Sequence, residues 1–189
     1  MSNKITFSTT EILKKVTILF HSKGYCATSM QDIVTVSNLN RSSIYNTFGS
    51  KLALFINCFE SCENNYRREI QKIILAATNP LKALRNILEL SVNQSVSGYL
   101  IPNYTAEINN DEVLIQKLIK NQKVYLLDLF EDIVKKGQNL GVINNSKSSK
   151  QYAYFIVTSY YGLQIMKKFP NRENNLKNVI YDILSLVER

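Results

Sequence analysis

The chain has 189 residues, 45% of them hydrophobic, and a formal net charge of +8. A chain of this length and composition can bury a substantial core in one compact unit or in two closely packed ones, so disorder is not expected. No apolar run approaches the 18 or more residues of a membrane span, and the first ten residues lack a hydrophobic signal segment. We therefore expect a cytoplasmic protein.

Basic side chains are in excess near the start of the chain. Residues 1–51 contain only two acidic residues, Glu11 and Asp32. The basic residues of the same stretch are Lys4, Lys14, Lys15, Lys23, Arg41 and Lys51. This excess favours a polyanionic partner, either a nucleic acid or an anionic membrane surface. The first predicted helix partly fits the basic amphipathic helix that a membrane surface requires, but core packing explains its apolar face better.

A first helix is predicted from Ser8 to Gly24. Ser8 and Glu11 have the S-x-x-E spacing of a capping box, in which each side chain satisfies a backbone amide of the other residue. The inward face of this helix is predicted to consist of Ile12, Leu13, Val16, Leu19 and Phe20. Its three lysines are therefore expected to point outwards, toward phosphates or water.

Residues 28–51 are predicted to form two short helices joined by a tight turn. Ser29 is suited to cap the first of them, because its hydroxyl can accept a hydrogen bond from a free amide of the first turn. Asn38 can adopt the left-handed conformation that a sharp turn needs. Asn40 is then expected to start the second helix.

The second of these short helices has two different faces. Ile44 and Phe48 are four residues apart and are expected to face inward. The polar residues left outside are Arg41, Ser42, Asn46 and Thr47. One cation and several small hydrogen-bonding groups are suited to read base edges in a major groove. Most polar helix faces are only solvated, but the turn, the short preceding helix and the small side chains favour DNA binding here.

A resemblance to the DNA-binding domain of the TetR family of transcriptional regulators is carried by the run FHSKGYCATSMQDIVTVSNLNRSSIYNTFGSKLALF. It extends over roughly residues 8–60. The matching residues are Phe20, Gly24, Tyr25, Thr28, Ile33, Leu39, Ile44, Tyr45, Phe48, Lys51 and Leu54. Asn38 stands where the family often has Gly, and Ser42 is the small residue in the middle of the recognition helix. Both fit the geometry, since Asn tolerates positive φ and Ser is small.

This resemblance implies a three-helix helix-turn-helix DNA-binding domain over residues 1–51, followed by a helical domain for effector binding and dimerisation over residues 52–189. It places four residues against phosphates: Thr28, Ser29, Tyr45 and Lys51. The remaining residues of the expected DNA-binding set are Arg41, Ser42, Ser43, Asn46 and Thr47. It also implies a homodimeric repressor, occasionally an activator, that binds a palindromic double-stranded operator and responds to a small molecule.

The remainder of the chain is predicted to be helical, because no strand-like alternation is visible, and the fold class is therefore all-α. A connecting helix is expected to end near Thr78, and Asn79 and Pro80 are a typical helix start. Two further helix starts are expected near Asp111 and Lys150. The predicted ends of the last three helices are Asn139, Phe169 and Glu188. The polar run after Gly141 is the clearest loop.

The last two predicted helices are expected to form the dimer interface. In the final helix the apolar residues at three- and four-residue spacing are Leu176, Val179, Ile180, Ile183, Leu184 and Val187. The preceding helix adds Tyr152, Phe155, Ile156 and Tyr160. The alternative is that both faces belong to the core of a single protomer. Analogy with the family favours the interface.

A mostly apolar effector pocket is expected between the helices that start near Pro80, Asp111 and Lys150. Its candidate residues are Gln94, Asn103, Tyr104, Tyr125, Phe130, Tyr154 and Tyr161. Pockets for small molecules combine apolar walls with a few polar groups of this kind. The low charge of this set indicates a hydrophobic or aromatic effector. Core packing, however, explains any single one of these residues better than ligand contact does.

Catalytic, metal and cofactor sites are not expected. The chain has no Glu-x-x-His pair, nucleophile elbow, glycine-rich phosphate loop or zinc spacing, and His21 is its only histidine. A DNA-binding regulator without an effector, or a helical interaction protein, is the alternative function. Three cysteines do not form a disulfide framework in a chain of this size. Cys58 and Cys62 lie one helical turn apart and could share a metal or sense oxidants, but His21 is distant in sequence.

Overall fold

The computed structural model describes residues 8–93, 113–167, 169 and 173–189. Over these ranges the backbone forms eight α-helices, and its one β-type contact is an isolated bridge between Ile143 and Glu188. The prediction of an all-α chain is confirmed. Within the same ranges no helix has both the length and the apolar character that a bilayer span requires.

Three short helices come first in the chain: α1 (Thr9–Lys23), α2 (Met30–Ser37) and α3 (Arg41–Phe48). The predicted bounds of α1 are confirmed, since it follows Ser8 and ends at Gly24. The predicted capping box between Ser8 and Glu11 is wrong. The Ser8 side chain makes no cap hydrogen bond, and the Ser8 carbonyl instead accepts from the Glu11 amide at 3.0 Å.

Five longer helices follow: α4 (Lys51–Ala76), α5 (Pro80–Asn93), α6 (Val113–Asn139), α7 (Ser149–Met166) and α8 (Glu173–Val187). α5 is capped as predicted, because the Asn79 side chain accepts from the Lys82 amide at 2.8 Å. α7 ends before the predicted Phe169, whose amide donates to the Met166 carbonyl in a turn. The predicted start of α6 at Asp111 lies outside the described residues.

The chain divides into two compact units, and the division falls inside α4. Of the described residues, the front unit contains 8–66 and the rear unit contains 67–93 and those from 113 to 189. The front unit thus continues beyond residue 51, where the sequence placed the boundary. The start of α4 belongs to it because Phe55 packs on Phe20, with ring centroids 5.2 Å apart. The buried Cys58 thiol also donates to a carbonyl of α1 at 3.7 Å.

In the rear unit, α5 packs against α6, α7 and α8, and α7 packs against both α6 and α8. The side chains at the centre of this core include Leu84, Ile87, Leu88, Leu126, Phe130, Val134, Ile156, Tyr160 and Leu184. Burying a leucine or isoleucine side chain of this kind stabilises a fold by about 1.5–3 kcal/mol. The four helices therefore hold one another in place.

Most of the apolar stripe that was predicted to form a dimer interface lies inside this core. The buried members in α8 are Leu176, Ile180, Ile183, Leu184 and Val187. The buried members in α7 are Tyr152, Ile156 and Tyr160. The prediction is therefore wrong for these residues, and only Phe155 and Val179 are exposed. Helical spacing locates an apolar face, but it does not distinguish the core of one protomer from the surface of a second copy.

Hydrogen bonds join the end of α8 to the loop that precedes α7. The side-chain amide of Asn144 donates to the carbonyls of Leu186 and Glu188, at 3.2 and 3.1 Å. Its backbone amide donates to the Val187 carbonyl at 2.9 Å, and the Tyr152 hydroxyl donates to its side-chain oxygen. Because these bonds share one residue, Asn144 fixes the position of α8 beside α7.

In the front unit an ion pair joins the end of α1 to the start of α2. Lys23 Nζ lies 2.6 Å from the Asp32 carboxylate, which also accepts from the hydroxyl and the amide of Ser29, both at 2.7 Å. Hydrogen bonds from Lys23 and Ser29 hold the pKa of the Asp32 carboxyl well below its ordinary value of 3.8. Lys23 therefore has a partner within the protein, whereas the sequence suggested phosphate or water.

We predict that Asp32→Asn removes a pH-dependent part of the stability. A carboxyl with a lowered pKa in the folded protein stabilises the fold while it is ionised, so its contribution is complete above its unfolded pKa and declines as the pH falls. The urea midpoint of the variant should lie below that of the wild type at neutral pH. The difference should shrink as the pH falls below 3.8. Circular dichroism across this range measures both midpoints.

The matched control is Asp128→Asn, the same change at an exposed position of α6. Its pH dependence should follow that of the wild type. A difference between wild type and Asp32→Asn that stays constant down to about pH 3 would contradict the role given to the Asp32 carboxylate.

Candidate nucleic-acid interface

α2 and α3 form a helix-turn-helix in which side chains fix both helix starts. Ser29 and Asp32 form a capping box on α2, with the Ser29 hydroxyl accepting from the Asp32 amide at 3.1 Å. Asn38 ends α2 in the left-handed conformation, at φ 56° and ψ 29°. The Asn40 side chain accepts from the Ser43 amide at 2.7 Å and starts α3. The predicted caps at Ser29 and Asn40 and the turn at Asn38 are confirmed.

α3 is held to the front unit by two buried side chains. Ile44 is 1% exposed and Phe48 is 8% exposed, as the inward face predicts. The four predicted base-reading residues are all exposed: Arg41, Ser42, Asn46 and Thr47. An α-helix with its side chains is about 10–12 Å across, which suits a major groove about 12 Å wide. The exposed surface of α3 therefore has the size and the chemistry of a base-reading element.

Two members of the expected DNA-binding set, Ser43 and Thr47, are bonded or partly buried within the front unit. The Thr47 hydroxyl donates to the Ser43 carbonyl at 2.8 Å, which leaves its oxygen as an acceptor at the surface. Ser43 is half-buried, between the exposed Ser42 and the buried Ile44. Arg41 is the one guanidinium of α3, and it can donate two parallel hydrogen bonds to a guanine edge.

Thr28 is buried, in contrast to its predicted contact with a phosphate. Its side chain is 1% exposed, its hydroxyl donates to the Gly24 carbonyl, and its amide donates to the Tyr25 carbonyl. Both donors are used within the protein, so this geometry does not support a phosphate contact from Thr28. The residue instead closes the connection between α1 and α2, and this places Ser29 at the start of α2.

The three other predicted phosphate ligands are Ser29, Tyr45 and Lys51, and they differ in the hydrogen-bond donors that they can offer to a phosphate. Ser29 is exposed, but its hydroxyl and its amide both donate to the Asp32 carboxylate. Tyr45 is 42% exposed on α3. Lys51 is half-buried at the first position of α4. Tyr45 and Lys51 are therefore better suited than Ser29 to donate to a phosphate.

An aromatic cluster supports Lys51. The Lys51 ammonium lies 4.3 Å from the ring centroid of Tyr25, a distance at which a cation is attracted to the ring face. The Tyr25 ring packs on Phe55 and Phe20, with centroid distances of 5.3 and 5.9 Å. Sequence analysis named Tyr25 only among the residues that carry the resemblance and assigned it no contact. The cluster restricts Lys51 to a defined place beside the start of α4.

Four of the seven predicted effector-pocket residues are described, and they lie in different surroundings. The other three, Gln94, Asn103 and Tyr104, lie outside the described residues. Tyr125 stacks against the Arg67 guanidinium, with its ring centroid 4.0 Å from the guanidinium carbon. Phe130 is fully buried against Tyr160, which in turn contacts Tyr161. Tyr154 is 48% exposed, so the prediction that it lines an enclosed pocket is wrong.

Two concave sites occur elsewhere in the rear unit. The first, which we call the α5–α8 cavity, has a volume of about 780 Å³ and is lined by Arg85, Glu89, Val92, Lys167, Leu176 and Lys177, among others. The second, which we call the apolar groove, measures about 470 Å³ and is lined by Phe155, Gly162, Met166, Val179, Leu186 and neighbouring residues. Sequence analysis missed the three cations of the cavity, because basic residues flanking an amphipathic helix are usually only solvated.

Burial affects the chemistry of two of the three cysteines, Cys58 and Cys62. Burial raises the pKa of the Cys58 thiol to about 12 and also raises the pKa of Cys62. Cysteine reacts with oxidants and binds metals as the thiolate, so neither thiol is activated at neutral pH. Across the part of the chain that the structure describes, no group of three or more His, Cys, Asp and Glu side chains could hold a metal ion.

Comparisons with known proteins agree with this geometry. The profile of the family described as bacterial regulatory proteins, tetR family, matches residues 12–58. The HTH-type transcriptional repressor DhaR of Mycobacterium sp. (strain GP1) is 25% identical over 185 residues, which cover 92% of this chain and 90% of DhaR. The match to the family profile therefore falls on the helix-turn-helix described above, and the match to DhaR extends over nearly the whole chain.

Solved structures share the fold at lower identity. A cysteine mutant of the TetR family regulator CifR, complexed with 26-bp double-strand operator DNA, has a TM-score of 0.87 at 17% identity and covers 98% of this chain and 100% of its own. A TetR family regulator from Agrobacterium tumefaciens has a TM-score of 0.87 at 16% identity, with coverages of 95% and 97%. Fold, helix-turn-helix and family profile thus agree: the chain is a DNA-binding transcriptional regulator whose residues 12–58 match the tetR family profile and whose fold is that of TetR family regulators.

Proposed function

We propose that the protein is a ligand-responsive repressor that acts in the cytoplasm and binds a palindromic operator as a homodimer. The observation that carries the proposal is the pairing of an exposed, base-reading α3 in the front unit with an exposed apolar groove in the rear unit. The first supplies sequence recognition and the second supplies a surface for another copy. Similarity to DhaR, which is named a repressor, supports repression over activation.

A dimer follows from the small size of the reading element. One helix of eight residues reaches only a few base pairs, so a single α3 offers little specificity. Two-fold symmetry allows two such helices to read matching half-sites about 34–36 Å apart on one face of the duplex. The 26-bp operator in the CifR complex is long enough to contain two half-sites at that spacing.

The apolar groove supports self-association through α7 and α8. Phe155, Met166, Val179 and Leu186 are between 36% and 61% exposed, although large apolar side chains in one patch are uncommon on a monomer. A Cβ atom built on Gly162 would meet no atom within 4 Å, so the groove is open above this residue. Such an opening lets a second helix approach closely. A groove between two helices suits the same two helices of another copy, as an isologous interface requires.

Contacts with DNA divide into two kinds in this proposal. The bases are read by Arg41, Ser42, Asn46 and Thr47. Tyr45 and Lys51 bind phosphates and orient the unit without reading sequence. Ser29 contributes through the helix start that it caps, and Thr28 is a positioning residue that places Ser29. The partly desolvated ammonium of Lys51, held over the Tyr25 ring, is the strongest of the phosphate ligands.

We predict that Val179→Glu combined with Leu186→Glu yields a folded monomer. Both side chains are exposed in the protomer, at 43% and 61%, so charging them leaves the core intact. In a dimer they would be desolvated, and a buried unpaired charge costs several kcal/mol. Light scattering measures the mass and circular dichroism measures the helix content.

The matched control is Leu75→Glu combined with Leu140→Glu, two exposed leucines outside the groove at 87% and 67%. This control should remain dimeric. If the Val179 and Leu186 variant remains dimeric, or if both double variants dissociate equally, the groove is not the interface.

We predict that Arg41→Ala and Lys51→Ala weaken operator binding in different ways. Removing a two-pronged arginine contact costs about 1–3 kcal/mol of discrimination at one base pair. Removing the Lys51 ammonium should weaken binding to every sequence alike. It should also lower the salt slope by about 0.9 for each phosphate that the protein no longer neutralises, and by twice that amount in a symmetric dimer. Fluorescence anisotropy on the operator and its point variants, at several salt concentrations, measures both effects.

Lys136→Ala, an exposed lysine on α6 of the rear unit, is the control and should change neither the affinity nor the slope. The two roles are assigned wrongly if Lys51→Ala alters which bases are preferred while Arg41→Ala lowers all affinities equally.

A further inference from the structure

The α5–α8 cavity combines basic side chains with an apolar wall. Its cationic groups are Arg85, Lys167 and Lys177, and Glu89 is the one carboxylate among the described lining residues. Its apolar lining consists of Val92, Leu176 and Ile180, together with Tyr181. A volume of about 780 Å³ lies within the range typical of small-molecule sites. The lining thus combines a net positive charge, from the two lysines and the arginine, with an apolar wall.

Two cations of the cavity, Arg85 and Lys177, are available to a ligand. Arg85 is half-buried on α5, and neither Arg85 nor Lys177 forms an ion pair with any residue that the structure describes. Even Glu89, one helical turn from Arg85, does not approach it closely enough for a salt bridge. A half-buried guanidinium that pairs with no described carboxylate favours a bound anion, because its planar donors match a carboxylate or a phosphate in two parallel hydrogen bonds.

Lys167, which directly follows the last residue of α7, also lines this cavity. Its ammonium donates to the Ser91 carbonyl at 3.4 Å, and this bond links the end of α7 to α5. The lysine thereby lines the cavity next to α5. An anion held by Arg85 would therefore experience a second fixed positive charge from α7.

We propose that this cavity is the effector site and that it takes an amphipathic organic acid, with its anionic head at Arg85 and its apolar body against Val92, Leu176 and Ile180. The inference rests on the proposed function, since it names the chemical class of the effector. It replaces the uncharged aromatic or hydrophobic effector that the sequence indicated. The difference arises because the cavity is formed by α5, α7 and α8, whereas the predicted pocket involved α6.

The position of the cavity supplies a route from ligand to dimer. Leu176 lines both the α5–α8 cavity and the apolar groove, so one side chain of α8 is shared by the two sites. Ile180 faces the cavity, and Val179, the residue before it, faces the groove. A ligand that fills the cavity therefore acts on the helix that we propose to form the interface. A coupling of this kind requires two conformations of the protein that differ in the position of α8, and the ligand must bind one of them more tightly than the other.

The test is calorimetric titration of the DNA-free protein with octanoate and with 1-octanol, which have equal chain lengths and differ in charge. The wild type should bind octanoate about ten-fold more tightly than octanol, because charge-assisted hydrogen bonds outweigh the one additional methylene that octanol buries. Arg85→Gln should remove that preference and leave the affinity for octanol unchanged. Arg85→Lys keeps the charge but loses the paired geometry, and should retain part of the preference.

Arg41→Gln is the matched control, since it removes the same charge from the front unit and should bind both compounds as the wild type does. Equal affinity of the wild type for octanoate and octanol would overturn the proposal, and this comparison requires no variant. Equal weakening of both compounds by Arg85→Gln would also overturn it, because the arginine would then act only on the fold. Operator binding and dimer mass are measured separately, so either result leaves the proposed repressor function standing.

Discussion

An eight-residue helix is not stable by itself in water, because too few backbone hydrogen bonds form to offset the cost of nucleating the helix. α3 is such a helix, and its existence depends on the burial of Ile44 and Phe48 in the front unit. The same two side chains decide which face of α3 remains outside. The left-handed turn at Asn38 and the cap at Asn40 set the angle at which that face is presented. Recognition of DNA therefore rests on a small amount of well-placed apolar packing.

The helix-turn-helix could be predicted from the sequence because its signals are local. Ser29, Asn38 and Asn40 each act on amides or dihedral angles within three residues of themselves, so residue type and spacing were sufficient. The features that could not be predicted depend on contacts between helices. Lys23 pairs with Asp32 across the connection between α1 and α2. The Thr28 hydroxyl is bonded inside the protein, a fact that spacing alone does not reveal.

In the rear unit, helical periodicity located an apolar stripe but did not predict what the stripe packs against. The apolar stripe of α8 was correctly identified, but its partner was not, since burial against α5 and burial against a second copy require the same residue types. The surface that we propose for a second copy is the adjacent strip that includes Val179 and Leu186. Residue type likewise did not indicate the cavity that we propose as the effector site, because a tyrosine suits a core, a surface or a pocket. Tyr154 lies at the surface, and the cations around Arg85 had no distinguishing pattern.

Two α3 helices in a two-fold dimer should impose their own symmetry on the DNA they select. Repeated selection of random duplexes by the purified protein, followed by sequencing, tests this most directly. The account predicts enrichment of an inverted repeat whose half-site centres are about one helical turn apart, or a multiple of it, on one face of the duplex. Enrichment of a single asymmetric half-site, or of no sequence at all, would contradict the view that this chain reads its operator as a dimer through α3.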